Sequence, residues 1–191
     1  MYLQEAHINE LRAVYAEQGR ATHDIAERCA RLQAMAKRSI FAVHREDFAG
    51  ANVLVREANA LRAEMVREYG AGFLQTQPAW RSFCEELLEA ELFLAFVEER
   101  FPFQLPVDQP ECVIGALSDV LGEVARLVVR EVTRDPQPRS LLAAQRLAEE
   151  VIDTLLELDA TGHSRQKVDQ ARQHARKIED VAYDVSFRRR V

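Results

Sequence analysis

Apolar residues recur every three to four positions along most of the chain, which is the spacing of an amphipathic α-helix. No stretch shows the apolar and polar alternation of a β-strand. Prolines and glycines interrupt the helical pattern in four connectors, GAGFLQTQP, FPFQLPVDQP, TRDPQPRS and DATGHS. The pattern predicts helices at about residues 3–46, 48–69, 79–100, 111–133, 140–159 and 164–186. We therefore expect an all-α, single-domain helical bundle of six or seven helices over residues 1–191.

The composition agrees with a helical protein that works in the cytoplasm. The chain has only seven Gly and six Pro, which favours helix over strand. No apolar run reaches the roughly 20 residues that a membrane span needs, and the acidic N-terminus does not resemble a signal peptide. Cys29, Cys84 and Cys112 are odd in number and far apart, as expected for reduced thiols. The net charge of −6 argues against unspecific nucleic-acid binding but leaves room for a local basic surface.

The segment FCEELLEAELFLAF, residues 83–96, places two carboxylates within an apolar stripe. At about 100° of turn per residue, Glu86 and Glu89 fall inside this stripe. The stripe consists of Phe83, Ala90, Phe93, Phe96 and Val97. Four other glutamates are expected together on a solvated face: Glu85, Glu91, Glu98 and Glu99. Buried carboxylates are costly unless a cation or a metal neutralises them, so the pair either meets Arg or Lys from another helix, lies at a wet edge, or holds a metal.

The segment ECVIGALSDVLGEVARLVVRE, residues 111–131, carries a second acidic pair. Asp119 and Glu123 lie one turn apart, and Arg126 and Arg130 continue the same stripe opposite an apolar arc. One interpretation is an exposed face with salt bridges between successive turns. The other is a binding site, because two glycines of this segment flank the carboxylates and leave room for a backbone, a metal or a substrate.

Two acidic pairs on two helices of a bundle are able to hold a divalent cation. No His follows them at the i,i+3 spacing of di-iron proteins, and all-oxygen ligands favour Mg²⁺ or Mn²⁺. Such ions promote attack on a phosphate by polarising a phosphoryl oxygen and lowering the pKa of a bound water. The E-x-x-E spacing is also common in Glu-rich helices, so spacing alone does not decide. No Gly-rich phosphate loop and no Ser-His-Asp or Cys-His set can be read from the sequence.

Basic residues recur in the first helix. They are Arg31, Arg38 and Arg45, seven residues apart, together with Lys37. Their spacing suits either phosphate contacts or a solvated basic face. His44, at the end of this helix, is interpreted as structural. The tail FRRRV, residues 187–191, is either a helix-terminal charge cluster or a nucleic-acid contact.

Four segments resemble the translin family. The segment ARKIEDVAYDVSFR resembles the family's C-terminal signature, and AKRSIFAVHR resembles the early-helix motif of the branch that contains translin-associated factor X. WRSFCEELLEAELFLAF and SDVLGEVARL resemble two successive central helices of the family. The absence of an extended N-terminal region and the Ala- and Arg-rich composition suggest a prokaryotic member.

The resemblance implies about seven helices and assembly into a hollow octamer that encloses nucleic acid. Translin-type chains bind single-stranded RNA or DNA, whereas chains like translin-associated factor X cut single-stranded RNA with Mg²⁺. The positions that match the site of this second branch are Glu86, Glu89 and Asp119, as metal ligands, with Glu123 as a ligand or as the group that orients water. The expected RNA contacts are Lys37, Arg38, Arg45, Arg81, Arg126 and Arg130.

We therefore predict a Mg²⁺- or Mn²⁺-dependent endoribonuclease that acts on single-stranded RNA inside a homo-oligomer, an octamer, with single-stranded DNA as a second ligand. One alternative is a non-catalytic translin-type protein, in which the carboxylates only pair with arginines. Another is an all-α nucleoside triphosphate pyrophosphohydrolase, which also uses E-x-x-E on one helix. This class needs a second acidic pair, and Glu150 with Asp153 lies far along the chain.

Overall fold

The described part of the chain consists of seven α-helices and contains no strand. The computed structural model describes residues 3–135 and 138–188. The helices are α1 Glu5–His44, α2 Phe48–Tyr69, α3 Ala71–Gln75, α4 Pro78–Val97, α5 Pro110–Arg134, α6 Ser140–Glu157 and α7 Gly162–Arg188. The predicted all-α class is confirmed. The short α3 lies in the segment GAGFLQTQP, which the sequence pattern assigned to a connector, and most of the predicted basic tail, residues 189–191, lies outside the described residues.

Local sequence signals explain where the helices begin and end. Pro78 and Pro110 occupy the first positions of α4 and α5, where a missing N–H costs nothing and the fixed φ suits a helix. Asp47 caps α2 by accepting a hydrogen bond from the Gly50 amide at 2.9 Å. Gly70, with φ of 78°, separates α2 from α3 in a conformation that favours glycine. These signals set the lengths of the helices before any packing occurs.

Helices α4 and α5 pack against each other at the centre of the bundle. Helix α1 covers α4 from one side and α7 covers α5 from the other, while α2 and α6 pack outside them. The central pair is therefore apolar over most of its circumference, with Phe83, Phe93 and Leu121 fully buried. Some polar side chains of α4 and α5 point to the groove between α1 and α7. These side chains therefore lie close to the protein interior.

The first half of α1 extends beyond the bundle as an arm, residues 5–24. Nearly all of its side chains are exposed, including Leu11 at 68% and Tyr15 at 77%. Burial begins at Ile25 and then recurs at helical spacing through Cys29 and Leu32. Most helical stability in proteins comes from tertiary packing, and the arm receives little of the packing that the bundle gives to the rest of α1.

Two further expectations concern the cysteines and the membrane. Cys29, Cys84 and Cys112 are free thiols, and burial raises the pKa of Cys84 to about 12. Neutral, buried thiols are unreactive. Within the described residues, no helix combines the length and the hydropathy that would let it cross a membrane.

Candidate active site

Five carboxylates of α4 and α5 gather where these helices face α1 and α7. They are Glu85, Glu86, Glu89, Asp119 and Glu123, which we call the acidic cluster. The structure thus brings together all four residues predicted to form the site, and it adds Glu85. Five carboxylates this close together repel each other, and the more so because they are partly buried. The neutralising partners of the cluster therefore decide what it is able to bind.

Glu89 lies at the centre of the acidic cluster. Its side chain is buried, with a residue exposure of 8%. Burial, followed by the charges of Asp119, Glu86 and Glu123, raises the pKa of Glu89 to about 8. Glu89 forms no hydrogen bond or ion pair with any described residue. Among the described residues Arg130 Nε is the one fully buried side-chain polar atom without a partner, so the Glu89 oxygens retain some contact with solvent.

Lys167 of α7 neutralises the cluster from one side. Its Nζ lies 2.6 Å from Asp119 Oδ2 and 2.8 Å from Glu85 Oε1, so that it links α4, α5 and α7. Burial opposes the charged form of Lys167, but its hydrogen bonds to Asp119 and Glu85 outweigh burial and raise the pKa of the ammonium. Lys167 could not be predicted from the sequence, because the pattern of α7 does not show which residues of α4 and α5 Lys167 contacts.

Helix α1 forms the opposite wall with Lys37 and His44. Lys37 Nζ lies 3.6 Å from Glu86 Oε2, and the pKa of Glu86 is raised because burial outweighs this cation. His44 Nε2 hydrogen-bonds Glu123, and its ring contacts Phe93 with centroids 4.9 Å apart. His44, interpreted as structural from sequence, thus lies directly against a predicted site residue.

Arg126 completes the surroundings of Glu123. Its Nη1 lies 3.2 Å from Glu123 Oε2. Burial favours the neutral form of Glu123, but the hydrogen bonds from His44 and Arg126 outweigh it and lower the pKa of this carboxyl group. Glu123 is therefore ionised and held in a fixed orientation, in contrast to Glu89.

The other predicted RNA contacts are distributed unevenly around the site. Arg130 reaches Glu46 at 3.9 Å rather than the acidic cluster. Arg38 of α1 and Arg45, which directly follows α1, are exposed and form no ion pair with a described residue. Arg81 lies 3.7 Å from Glu111. Together with Glu85 and Lys167, Arg81 lines a cleft of about 840 Å³ that opens next to the cluster.

Comparison with known proteins shows which family the chain belongs to. The model of the translin family matches residues 21–189. The chain belongs to the translin family. The resemblance seen in the sequence is thereby confirmed, and the match covers the whole bundle while leaving out nearly all of the arm.

Solved structures share the fold of this translin-family chain. A structure described as AfC3PO in a duplex RNA complex has a TM-score of 0.82 and 18% identity, and the match covers 96% of this chain and 98% of that one. AfC3PO alone also reaches 0.82, at 19% identity over 97% and 100% of the two chains. Apo-NeC3PO reaches 0.78 at 18% identity over 97% and 99%. At such identities the likeness shows the fold alone. A comparison with curated proteins finds no significant match.

Four glutamates in and just after α4 were predicted to share a solvated face, and this prediction is wrong for three of them. Glu85 turns toward Lys167 in the acidic cluster. Glu91 and Glu98 are half-buried and accept hydrogen bonds from Asn59 and Asn52 of α2. The physical reason is that α2 and α7 cover surfaces that the α4 pattern alone marks as free. Glu99 is exposed as expected.

The glycines of α5 have a different use from the one the sequence suggested. A Cβ atom on Gly115 would lie 2.3 Å from the carboxyl carbon of Glu85, and one on Gly122 would lie 3.0 Å from His174 Nε2. The room predicted for a backbone, a metal or a substrate is therefore filled by two side chains. Burial lowers the pKa of His174, so this second imidazole near the cluster is held neutral.

The acidic cluster of this translin-family chain supplies oxygen ligands of the kind that Mg²⁺ binds. In this structure the ligands are not arranged around a common metal position. Among the described residues, no three His, Cys, Asp or Glu side chains are arranged to hold a metal ion. Lys37 and Lys167 instead occupy carboxylate oxygens of Glu86 and Asp119. The donors are all oxygens, as Mg²⁺ prefers, and Glu89 is a buried carboxylate without a cation of its own. The chemistry of these donors therefore suits Mg²⁺, which would compete with Lys37 and Lys167 for the oxygens of Glu86 and Asp119.

Proposed function

We propose that this translin-family chain binds nucleic acid and hydrolyses single-stranded RNA with Mg²⁺ or Mn²⁺ held by Glu86, Glu89 and Asp119. The observation that supports it best is Glu89, a buried carboxylate among three others with no cation partner in the described chain. Such a group costs folding free energy. A cation that neutralises it would offset that cost, and perturbed carboxylates of this kind concentrate at functional sites.

The residues around the cluster support distinct roles in hydrolysis. When bound, a divalent ion polarises a phosphoryl oxygen and lowers the pKa of a bound water. Glu123, ionised and oriented by His44 and Arg126, is suited to accept a proton from the attacking water. The Arg126 guanidinium, on the solvent side of Glu123, is suited to neutralise charge that develops on the phosphate. Lys167 keeps its second partner, Glu85, and so remains at the site as a further cation.

Nucleic acid is the ligand that the surroundings of the cluster favour. Arg38 of α1 and Arg45, just after its end, are exposed and have no ion pair among the described residues, and such arginines suit phosphate contacts. The similar AfC3PO structure is described in complex with duplex RNA. We retain single-stranded RNA as the substrate, with single-stranded DNA as a second ligand, and the experiment below includes the duplex.

Assembly into a homo-octamer in the cytoplasm belongs to the same proposal. The arm exposes Leu11 and Tyr15, and an exposed apolar helix face of this kind suits contacts between subunits. The free thiols fit a reducing compartment.

A non-catalytic nucleic-acid-binding protein is the second candidate. The observation that favours it is the number of basic side chains already in place, because Lys37, Lys167, His44 and Arg126 all contact carboxylates of the cluster. A network of this kind stabilises a binding protein without any metal. The pyrophosphohydrolase alternative lacks comparable support, since Glu150 and Asp153 are exposed on α6.

The deciding experiment measures cleavage of a labelled single-stranded oligoribonucleotide with Mg²⁺ and with EDTA. We expect Glu89→Gln and Asp119→Asn to lower the rate by on the order of 100-fold or more, as the loss of other charge-stabilising groups does. Glu57→Gln, an exposed glutamate on α2, serves as the matched control. Tight binding of the oligonucleotide with no Mg²⁺-dependent cleavage would refute the hydrolase and leave the binding protein. The same assay with duplex RNA and with nucleoside triphosphates tests the remaining substrates.

A further inference from the structure

Helix α1 carries one residue near the acidic cluster, Phe41, that the proposed mechanism does not use. Lys37 and His44 point to the carboxylates. At about 100° of turn per residue, Phe41 lies next to them around the helix, and Arg38 and Arg45 follow farther out. Around the helix, Lys37 and His44 are thus nearest to the cluster. Phe41 comes next, and the exposed Arg38 and Arg45 are farthest from it.

Phe41 is unusual in this position because the residue is 50% exposed, although most large apolar side chains of the second half of α1 are buried. The guanidinium carbon of Arg126 lies 5.8 Å from the ring centroid. Arg126 in turn contacts Glu123 at 3.2 Å. Phe41 is thus joined to the acidic cluster through one residue, while half of its surface remains open to a ligand.

We infer that Phe41 and Arg126 form a nucleobase subsite, in which the base next to the reacting phosphate stacks on the exposed part of the Phe41 ring. Stacking on an aromatic side chain is the common way to bind single-stranded nucleic acid, because every base has a π-face. The guanidinium of Arg126 adds a planar cation of the kind that also stacks on bases. Arg38 and Arg45 lie on the outer side of Phe41, where the sugar-phosphate chain would continue.

The inference of this subsite rests on the proposed function. It explains why the protein would prefer single-stranded to duplex RNA. A base inside a duplex already stacks on its neighbours and presents only its edge to a protein. A base in a single strand is free to turn onto Phe41. The subsite therefore favours single-stranded over duplex RNA without reading the sequence, because the contact involves the face of the base rather than its hydrogen-bonding edge.

The test measures the affinity of the full-length chain for a fluorescein-labelled single-stranded oligoribonucleotide in EDTA, where metal-dependent cleavage is absent. Base stacking contributes about 1–3 kcal/mol by alanine substitution, so Phe41→Ala should weaken binding roughly 5- to 160-fold. Phe41→Trp should retain the affinity, because it keeps an aromatic face. Phe41→Leu should behave like alanine, since it keeps apolar volume but no ring. Binding of duplex RNA should change less than 2-fold in all three variants, an expectation that follows from the stacking of paired bases.

Phe48→Ala, an exposed phenylalanine at the start of α2, is the matched control and should leave the affinity unchanged. Equal affinity of Phe41→Ala and wild type would overturn the inference and leave the proposed function intact. Wild-type affinity in Phe41→Leu would also overturn it, because the contact would then be apolar rather than stacked. A lower particle mass for Phe41→Ala in light scattering would assign the ring to a subunit contact instead. No binding by the wild type would overturn the inference together with the proposed nucleic-acid ligand.

Discussion

Replacing Glu89 by Gln should make the metal-free protein more stable at neutral pH. Glutamine has nearly the same shape as glutamate but carries no charge at any pH. The folded protein holds the Glu89 proton more tightly than the unfolded chain does, because burial and the carboxylates of Glu86, Asp119 and Glu123 oppose ionisation while Lys167 favours it only in part. The stabilising effect of this tightly held proton is therefore complete below pH 4.5 and is lost as the pH rises through about 8.

The size of the effect follows from the pKa of Glu89. A shift from 4.5 to about 8 corresponds to roughly 5 kcal/mol in full, at about 1.4 kcal/mol per pKa unit. Linkage gives a loss of about 0.8 kcal/mol at pH 5 and about 3 kcal/mol at pH 7. For a chain of 191 residues, about 3 kcal/mol raises Tm by roughly 6–12 °C. Glu89→Gln should recover this amount at pH 7 and much less at pH 5.

Thermal unfolding in EDTA at pH 5, 6, 7 and 8 measures this difference directly. The gap in Tm between Glu89→Gln and wild type should widen with pH, while Glu57→Gln should follow the wild type throughout. Adding Mg²⁺ at pH 7 should then stabilise the wild type more than Glu89→Gln, because only the wild type offers the full set of ligands. A gap that stays constant with pH would refute the buried, repelled carboxylate. An equal response to Mg²⁺ would show that Glu89 holds no metal.

Three further outcomes test the remaining parts of the site and its assembly. Lys167→Met removes the cation that links α4, α5 and α7, so Mn²⁺ should bind about 10-fold more tightly in calorimetry; unchanged affinity would show that the lysine does not compete with metal. Arg126→Ala should slow RNA cleavage more than Arg130→Ala, because the first contacts Glu123 and the second contacts Glu46; equal losses would contradict the assignment of Arg126. Eight chains of 21.8 kDa give about 174 kDa, and Leu11→Glu combined with Tyr15→Glu should lower the mass seen in light scattering; a monomeric wild type would refute the octamer.

The sequence by itself determined the six long helices and the two central acidic pairs. The spacing of apolar residues depends only on the geometry of a single helix, and prolines such as Pro78 and Pro110 mark helix starts through local sterics. Glu86 and Glu89 could be singled out for the same reason, since their position in an apolar stripe is a property of α4 alone. The resemblance of four segments to the translin family led to the same carboxylates and was confirmed over residues 21–189.

Only the tertiary structure decided which partners neutralise these carboxylates. Lys167 is 48 residues from Asp119 in the chain, and His44 is 79 residues from Glu123. Such pairings depend on which helix packs opposite another and on its rotation about its own axis, and neither quantity is encoded in the periodicity of one helix. For the same reason Glu85 was assigned to solvent from sequence although α7 covers it. The charge around Glu89, and with it the pKa, is therefore a property of four helices together.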